Sequence, residues 1–435
     1  MARWQRERRQ QAIIVTVFSA VLFFVLGLVA WAASDKYYQD NLKPAMKFDG
    51  RVIPMRDWAT ERNYELQRFY VEFGVPAGYE NDPSIAQQKA SYDRSALDTL
   101  EEYAILDTQA KAGGISITPD QVQARYEDDF GQFRSRHILI TIDKDAADQA
   151  VEAANALAKA TAIRDQLRQD PNNQGLWNQL AKDYSQDPGS AESGGELGWV
   201  GKGQFVKEFE DAARALQIGQ ISDPIKSDFG YHVIQVEERR GPQENETVKR
   251  WIDNGFTESD IKRHTFYDLV REAVTTRQQD LGTASPTAQV HVSQIQVATP
   301  RPTGGDLQSF TDQLKKVSDI SQALQKGTDF ADVAKQYSED SATKDKGGDM
   351  GWIARGMITD LSAENELFNI AAGGLSQQHN LLTTTTWYKV TEKSDSRDLD
   401  DEQKKTIKDN AYQYWLNQQK KAHDVTRLIP GLEFE

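Results

Sequence analysis

Hydrophobic positions change their spacing several times along the chain, and each change marks an element. From Ala12 to Ala33 no charge interrupts a mostly apolar run. As a helix, its roughly 22 residues would reach about 33 Å, enough to cross a bilayer core. Beyond Asp35 the apolar residues recur at helical intervals: Tyr64, Leu66, Phe69, Tyr70 and Phe73, then Leu97, Leu100, Tyr103, Ala104 and Leu106. Pro76, Gly78, Pro83 and Gly113-Gly114 interrupt the pattern. Thr118-Pro119-Asp120 supplies the N-cap, first-turn proline and acid of another helix. Phe69, Tyr70 and Phe73 fit an ordinary helical core, or the lining of a groove for apolar peptide.

At Arg136-His137-Ile138-Leu139-Ile140-Thr141-Ile142 the period shortens to that of a β-branched strand. A long Ala-rich helix from about Ala146 to Leu167, a helix from Leu176 to Tyr184, a short helix from Phe209 to Leu216 and a strand from Tyr231 to Val236 complete an α+β unit with a small antiparallel sheet. Gly241 to Ala288 is polar, with helical stretches at Val248 to Ile252 and Asp260 to Thr276. The pattern then restarts with a strand at Val290 to Val297, helices across Gln308 to Tyr337 and a strand near Trp387 to Val390. Asp398 to Leu428 reads as a charged helix. Its Tyr412, Tyr414, Trp415 and Leu416 call for packing, and the N-terminal helices are the expected place.

The restart is a true internal repeat. Tyr184 to Trp199 returns as Tyr337 to Trp352: Tyr-Ser opens each copy, Asp187 and Asp340 hold the same place, and Gly-Gly-acid-Leu/Met-Gly-Trp closes both at identical spacing.

Composition narrows the chemistry. The 435 residues carry a formal charge of −15 while Arg3, Arg6, Arg8 and Arg9 face only Glu7 before the apolar run, so the remainder is more acidic still. Such a surface excludes nucleic acid as a partner. The leading arginines place the N-terminus in the cytoplasm and the bulk of the chain outside it, as a single-pass membrane protein bound to the lipid bilayer through this helix. Secretion after cleavage at Ala30-Trp31-Ala32 is the alternative, although the run is long for a signal peptide. Either way the function works without ATP. Zero cysteines remove disulfides, thiolate metal sites and cysteine nucleophiles. The six histidines are scattered without ligand spacing, and neither a phosphate-binding glycine motif nor a Gly-x-Ser-x-Gly elbow occurs. No metal or cofactor is expected.

The first repeat resembles a parvulin-type (PpiC/rotamase) peptidyl-prolyl isomerase domain. The resemblance rests on Arg136-His137-Ile138-Leu139, Tyr184-Ser185 with Asp187, Gly194-Gly195-Glu196-Leu197-Gly198-Trp199, Gly203-Gln204-Phe205, Phe209-Glu210, Gly219 to Pro224, and Phe229-Gly230-Tyr231-His232. The layout is similar to that of membrane-anchored SurA-, PrsA- and PpiD-type foldases. It implies a basic cytoplasmic tail (1–11), a transmembrane helix (12–33), a helical chaperone-like region (34–132), an active module (133–239), a helical connector (240–287), a degenerate module (288–393) and a C-terminal helix (394–435). Carried over by residue, the family's histidine pair falls on His137 and His232, its neighbouring acid on Asp187, the hydroxyl that bonds the pair on Ser227, and the pocket for the proline ring on Leu197, Phe205 and Phe209. Glu196 and Phe205 depart from the family's commoner Asp and Met. Alone, Asp187 before Pro188-Gly189 could merely start a turn, and a lone strand histidine is usually structural.

In the second copy Gln294 aligns with His137, Thr386 with His232 and Ala363 with Phe209. The second module is therefore expected to keep the fold with little or no activity. The resemblance implies an extracytoplasmic isomerase and foldase whose partners are unfolded or proline-containing polypeptides. A non-catalytic holdase chaperone or peptide-binding scaffold is the alternative.

Overall fold

The computed structural model describes residues 3–72, 83–300, 307–381 and 383–432. Phe73, Pro76 and Gly78 lie outside the described residues. Two compact units emerge, one from Met1–Asn63, Pro83–Ile115 and Val270–Glu435, the other from Tyr64–Asp82 and Ser116–Leu269. The class is α+β, with antiparallel sheets throughout.

Helix α1 (Arg3–Tyr37) contains the apolar run and continues past it. Among the described residues, α1 and the π-helical turn Tyr38–Leu42 that continues it supply the one stretch, Val21–Leu42, long and apolar enough to cross a membrane, with mean hydropathy 1.3. A hairpin of β1 (Pro44–Phe48) and β2 (Arg51–Pro54) follows, within the segment read from sequence as helical. Its turn, Asp49-Gly50, has φ of 46° and 78°. Asp-Gly suits a two-residue hairpin because both positions need positive φ, so the signal was present but overshadowed by the helical pattern downstream. Next come α2 (Met55–Glu72), α3 (Pro83–Gly113) and α4 (Pro119–Phe130). In α4 the Thr118 hydroxyl accepts from the Gln121 N–H, while the Gln121 amide accepts from the Thr118 N–H, a reciprocal cap.

The first module comprises β3 (Gln132–Thr141), α5 (Gln149–Gln169), α6 (Gln174–Tyr184), β4 (Glu196–Val200), α7 (Lys207–Ala215), β5 (Ile225–Ser227) and β6 (Gly230–Arg240). Two helices, α8 (Glu246–Asp253) and α9 (Glu258–Gly282), precede the second: β7 (Thr287–Ala298), α10 (Leu307–Gln325), α11 (Phe330–Tyr337), β8 (Asp349–Ala354), α12 (Leu361–Asn369), β9 (His379–Asn380) and β10 (Thr384–Arg397). The chain closes with α13 (Asp401–Ala422) and β11 (Val425–Arg427).

Both modules share one topology, β4-β3-β6-β5 and β8-β7-β10-β9. In the first, Ile138, Ile140 and Val233 pack on one face of the sheet with Ala156, Ile163, Leu167 and Trp177 of α5 and α6. Phe133, Ile234 and Val236 pack on the other with Phe209 and Ala213 of α7. The second module divides its core the same way, Ile295, Val297 and Trp387 against α10 and α11, and Val292, Tyr388 and Val390 against α12. Strand alternation makes the two-sided core.

In the unit holding both chain ends, the terminal segment packs on the N-terminal region as expected. Tyr412 Oη donates to the Glu102 carboxylate of α3 at 2.5 Å, and Gln109 donates to Gln419 at 2.8 Å. The helix stops sooner than Leu428, because β11 pairs with β1 to form the sheet β11-β1-β2. Its arginine, Arg427, reaches Glu101 at 2.9 Å and also Asp98. In the other unit Tyr126, Val248, Trp251, Phe256 and Ile261 form a core joined by Tyr64. Tyr70 is buried, which favours a core role there over a groove.

The glycine-rich stretch does distinct jobs at each position. Gly195 has φ +80°, and a Cβ there would stand 2.1 Å from the His137 carbonyl oxygen; Gly348 repeats this with φ +84° and 2.2 Å to the Gln294 carbonyl. Gly198 also has positive φ, +72°, but faces open space. Gly198→Ala should therefore cost only the left-handed strain, about 1–2 kcal/mol. Gly195→Ala adds a backbone collision and should cost several kcal/mol more, of order 3 or above. Denaturant midpoints of the two variants check this, and equal losses would contradict it.

Candidate functional site

Register brings the central residues of the first module together. Strands β3 and β6 pair His137 with Ile234 and Leu139 with His232, so the two histidines are diagonal neighbours on one face, within reach of long side chains. Their rings lie 5.3 Å apart between centroids and nearly parallel, at 15°. Both are buried, 6% and 4% exposed.

A continuous hydrogen-bond chain runs through them. His137 Nδ1 and His232 Nδ1 are 3.1 Å apart, His137 Nε2 lies 2.9 Å from Asp187 Oδ2, and Ser227 Oγ lies 2.7 Å from His232 Nε2. Asp187 also accepts from the Gly189 N–H at 3.2 Å and from the Ser190 hydroxyl. Ser227 Oγ accepts the Phe229 N–H at 3.1 Å. With both imidazoles neutral, one proton assignment satisfies every link. An ionised Asp187 only accepts, so His137 carries its proton on Nε2 and accepts at Nδ1. His232 then donates from Nδ1 and accepts the Ser227 O–H at Nε2.

The electrostatics agree with neutral rings. Burial pushes the His232 pKa down to about 4, with a smaller contribution from His137, against a weaker pull upward from Asp187. Burial likewise depresses His137, although its bond to Asp187 opposes this. At Asp187 partial burial raises the carboxyl pKa, but donors from His137, Ser190 and Gly189 outweigh it and hold the group below the usual range. The arrangement offers a charged carboxylate at one end and neutral imidazoles along a low-dielectric wall, with no activated nucleophile.

Beside the pair opens a cleft of about 600 Å³, lined among others by Leu197, Phe205, Phe209, Val206 and Phe229. Phe209 is buried and meets both imidazoles edge-on, at 5.5 and 5.4 Å between centroids. Phe205 leans on Phe209 at 4.8 Å. All seven residues singled out from sequence, His137, Asp187, His232, Ser227, Leu197, Phe205 and Phe209, thus converge on this one place. Sequence reasoning passed over Ser190, Leu139, Val206 and Phe229. For Ser190 a signal existed: a hydroxyl stands three residues after the acid in both repeats, Ser190 and Thr343.

The second module keeps the frame and loses the chain of rings. Gln294 occupies the His137 place: its N–H donates to the Gly348 carbonyl at 2.8 Å, as that of His137 does to Gly195 at 2.9 Å. Gln294 Nε2 donates to Asp340 at 2.8 Å. Ser222 Oγ accepts the Ile234 N–H and Ser376 Oγ the Tyr388 N–H, both at 2.9 Å, so Tyr388 matches Ile234 and Thr386 matches His232. Glu210 accepts the Gly203 N–H at 2.7 Å and Glu364 the Gly356 N–H at 2.6 Å, which sets Ala363 against Phe209. Leu381 stands where Ser227 would, outside hydroxyl chemistry. Tyr388, larger than Ile234, packs with Ala363 in the buried core.

Comparison with known proteins places both modules. Residues 137–238 match Rotamase, the PPIC-type PPIASE domain, and residues 278–385 match Rotamase_3, also a PPIC-type PPIASE domain. Foldase protein PrsA of Geobacillus kaustophilus is 37% identical over 211 residues, 47% of this chain and 66% of its own length. Chaperone SurA of Chromohalobacter salexigens is 48% identical over 107 residues, 25% of this chain and 22% of its own. The solution structure of NmPin, the parvuline of Nitrosopumilus maritimus, is 37% identical, covering 25% of this chain and 97% of that one with a TM-score of 0.20. The chain spans 51%, 66% and 22% of the length of three curated relatives it matches.

The depressed histidines fix a pH dependence. Because the His232 pKa is about 4 when folded against an ordinary 6.5, the unfolded chain binds more protons between those values. Stability is then complete above the window and falls as pH drops through it, by at most about 1.4 kcal/mol per pH unit for this group. Nitrogen NMR of histidine-labelled protein should show His232 neutral at pH 5 and titrating near 4. Protonation near the ordinary value would refute the burial argument.

Proposed function

We propose, from a chain that belongs to the PPIC-type parvulin domain family through residues 137–238 and 278–385, that its first module is a peptidyl-prolyl cis-trans isomerase and the whole a foldase for polypeptides outside the cytoplasm. The observation that carries this reading is the neutral, buried histidine pair set against an apolar, aromatic-walled cleft.

Such a site suits the reaction. An X-Pro amide crosses a barrier near 18–20 kcal/mol when it twists out of conjugation, and no bond breaks. The planar amide is favoured in water partly because its separated charge is solvated. A pocket of Leu197, Phe205 and Phe209 that holds the ring away from water reduces that advantage, while the imidazoles shape the field around the rotating amide. Lowering the barrier by about 4 kcal/mol would accelerate exchange roughly a thousandfold. His137, His232, Asp187 and Ser227 act here as a fixed electrostatic wall, not as nucleophile or proton shuttle.

The sequence of α1 and the foldase and chaperone names of the relatives support an extracytoplasmic protein that binds unfolded chains. We assign α1 as its single-pass anchor in the lipid bilayer, with the N-terminus inside. The second module, with Gln294, Thr386 and Ala363 at the key places, is assigned a peptide-binding or spacing role, and the helical region between α1 and the first module a chaperone role.

Three measurements test the assignment. Phe209→Ala should lower kcat/KM for a proline peptide by one to two orders of magnitude, reflecting the about 1.5–3 kcal/mol of one buried apolar side chain. Phe209→Ala with His232→Ala should abolish catalysed exchange in the full chain; activity that survives would move catalysis to the second module. If the same double variant still suppresses aggregation of an unfolded client, the chaperone role stands apart from isomerisation.

A further inference from the structure

Ser190 occupies a position that the histidine chain alone does not explain. It is 2% exposed, and it touches His137 from two sides through intermediaries. Its hydroxyl donates to Asp187 Oδ2, the oxygen that lies 2.9 Å from His137 Nε2. Its carbonyl accepts the Gly195 N–H at 2.8 Å, and the Gly195 carbonyl accepts the His137 N–H at 2.9 Å. A closed ring results: His137 side chain, Asp187, Ser190, Gly195, and back to the His137 backbone.

The second module preserves this ring without the imidazole. Thr343 donates to Asp340 Oδ2, which accepts from Gln294 Nε2 at 2.8 Å; the Gly348 N–H donates to the Thr343 carbonyl at 2.9 Å, and the Gln294 N–H to the Gly348 carbonyl at 2.8 Å. A hydroxyl, an acid and a glycine persist at matching places while the donor changes from imidazole to carboxamide. What the ring requires of position 137 is therefore an N–H aimed at the carboxylate, and what the hydroxyl supplies is the carboxylate's orientation.

We infer that Ser190 is a positioning residue of the first module: by orienting Asp187 it keeps the His137 proton on Nε2, and so leaves Nδ1 free to accept from His232. This rests on the isomerase reading of that module only for its effect on rate. The physical logic is geometric. Without the hydroxyl, Asp187 keeps two donors and can rotate about its side-chain bonds. A loosely held carboxylate no longer selects one imidazole tautomer, and the opposite tautomer of His137 would set its Nδ1–H against the Nδ1–H of His232 and its Nε2 lone pair against the Asp187 carboxylate.

The test uses the full chain labelled with 15N-histidine, and the His137→Gln and His232→Gln variants assign the two signals among the six histidines. Ser190→Ala should broaden or shift the His137 signals away from a single Nε2-protonated form and lower kcat about tenfold with KM unchanged, as loss of precise placement does. Ser190→Thr, the hydroxyl of the second module, should restore both. Ser190→Ala that lowers only the thermal midpoint, with the tautomer intact, overturns the inference, as does failure of Ser190→Thr to rescue the tautomer. If the wild-type chain shows no catalysed exchange, the isomerase reading fails, while the tautomer measurement still decides the role of Ser190.

Discussion

The first module depends on the pairing of β3 with β6. That register sets His137 and His232 diagonally on one face and sends Ile138 and Val233 to the other. A slip of one residue would exchange the faces, place the imidazoles among α5 and α6, and turn core isoleucines toward the cleft. The burial pattern on each side is thus what holds the register. The same alternation that builds the core aligns the polar chain.

Close approach of the glycine-rich stretch to β3 is the second constraint. Gly195 and Gly348 let a loop backbone lie against the strand where a Cβ would collide with a carbonyl. Through these contacts the loop carries an acid to the strand: Asp187 to His137, and Asp340 to Gln294. Both copies retain this frame, so the repeated stretch is scaffold before it is chemistry. The copies differ in what the frame holds. A second imidazole at position 232, a hydroxyl at 227 and a ring at 209 make the first module a cleft; Thr386, Leu381 and Ala363, with Tyr388 filling the core, make the second a packed relative of it.

Neutrality of the pair follows from its burial. Two imidazoles whose ring nitrogens are 3.1 Å apart cannot both charge cheaply, and desolvation disfavours even one proton. Asp187 is the single ionised group of the chain, at its edge and partly exposed, where donors compensate its charge. Such a site presents neutral imidazoles and a compensated carboxylate beside an apolar cleft.

Sequence alone was enough for the repeat, the α+β class, the apolar first helix and the grouping of seven residues around one cleft, because these rest on local periodicity and on spacing within continuous motifs. Asp-Gly at 49–50 marked a hairpin that the helical pattern around it obscured, and the end of α13 gave way to β11 because pairing with β1, nearly the whole chain away, favours strand there. The hairpin was legible in its local turn, whereas the end of α13 could not be decided locally, since a partner strand distant in sequence contributes the hydrogen bonds. The repeat marked a hydroxyl at 190 and 343, but what it does was hidden until folding brought the Gly195 carbonyl to the His137 N–H and the Ser190 hydroxyl to Asp187. Tertiary structure also decided the protonation of the histidines, because depth of burial and the direction of each hydrogen bond exist only once the two strands have met.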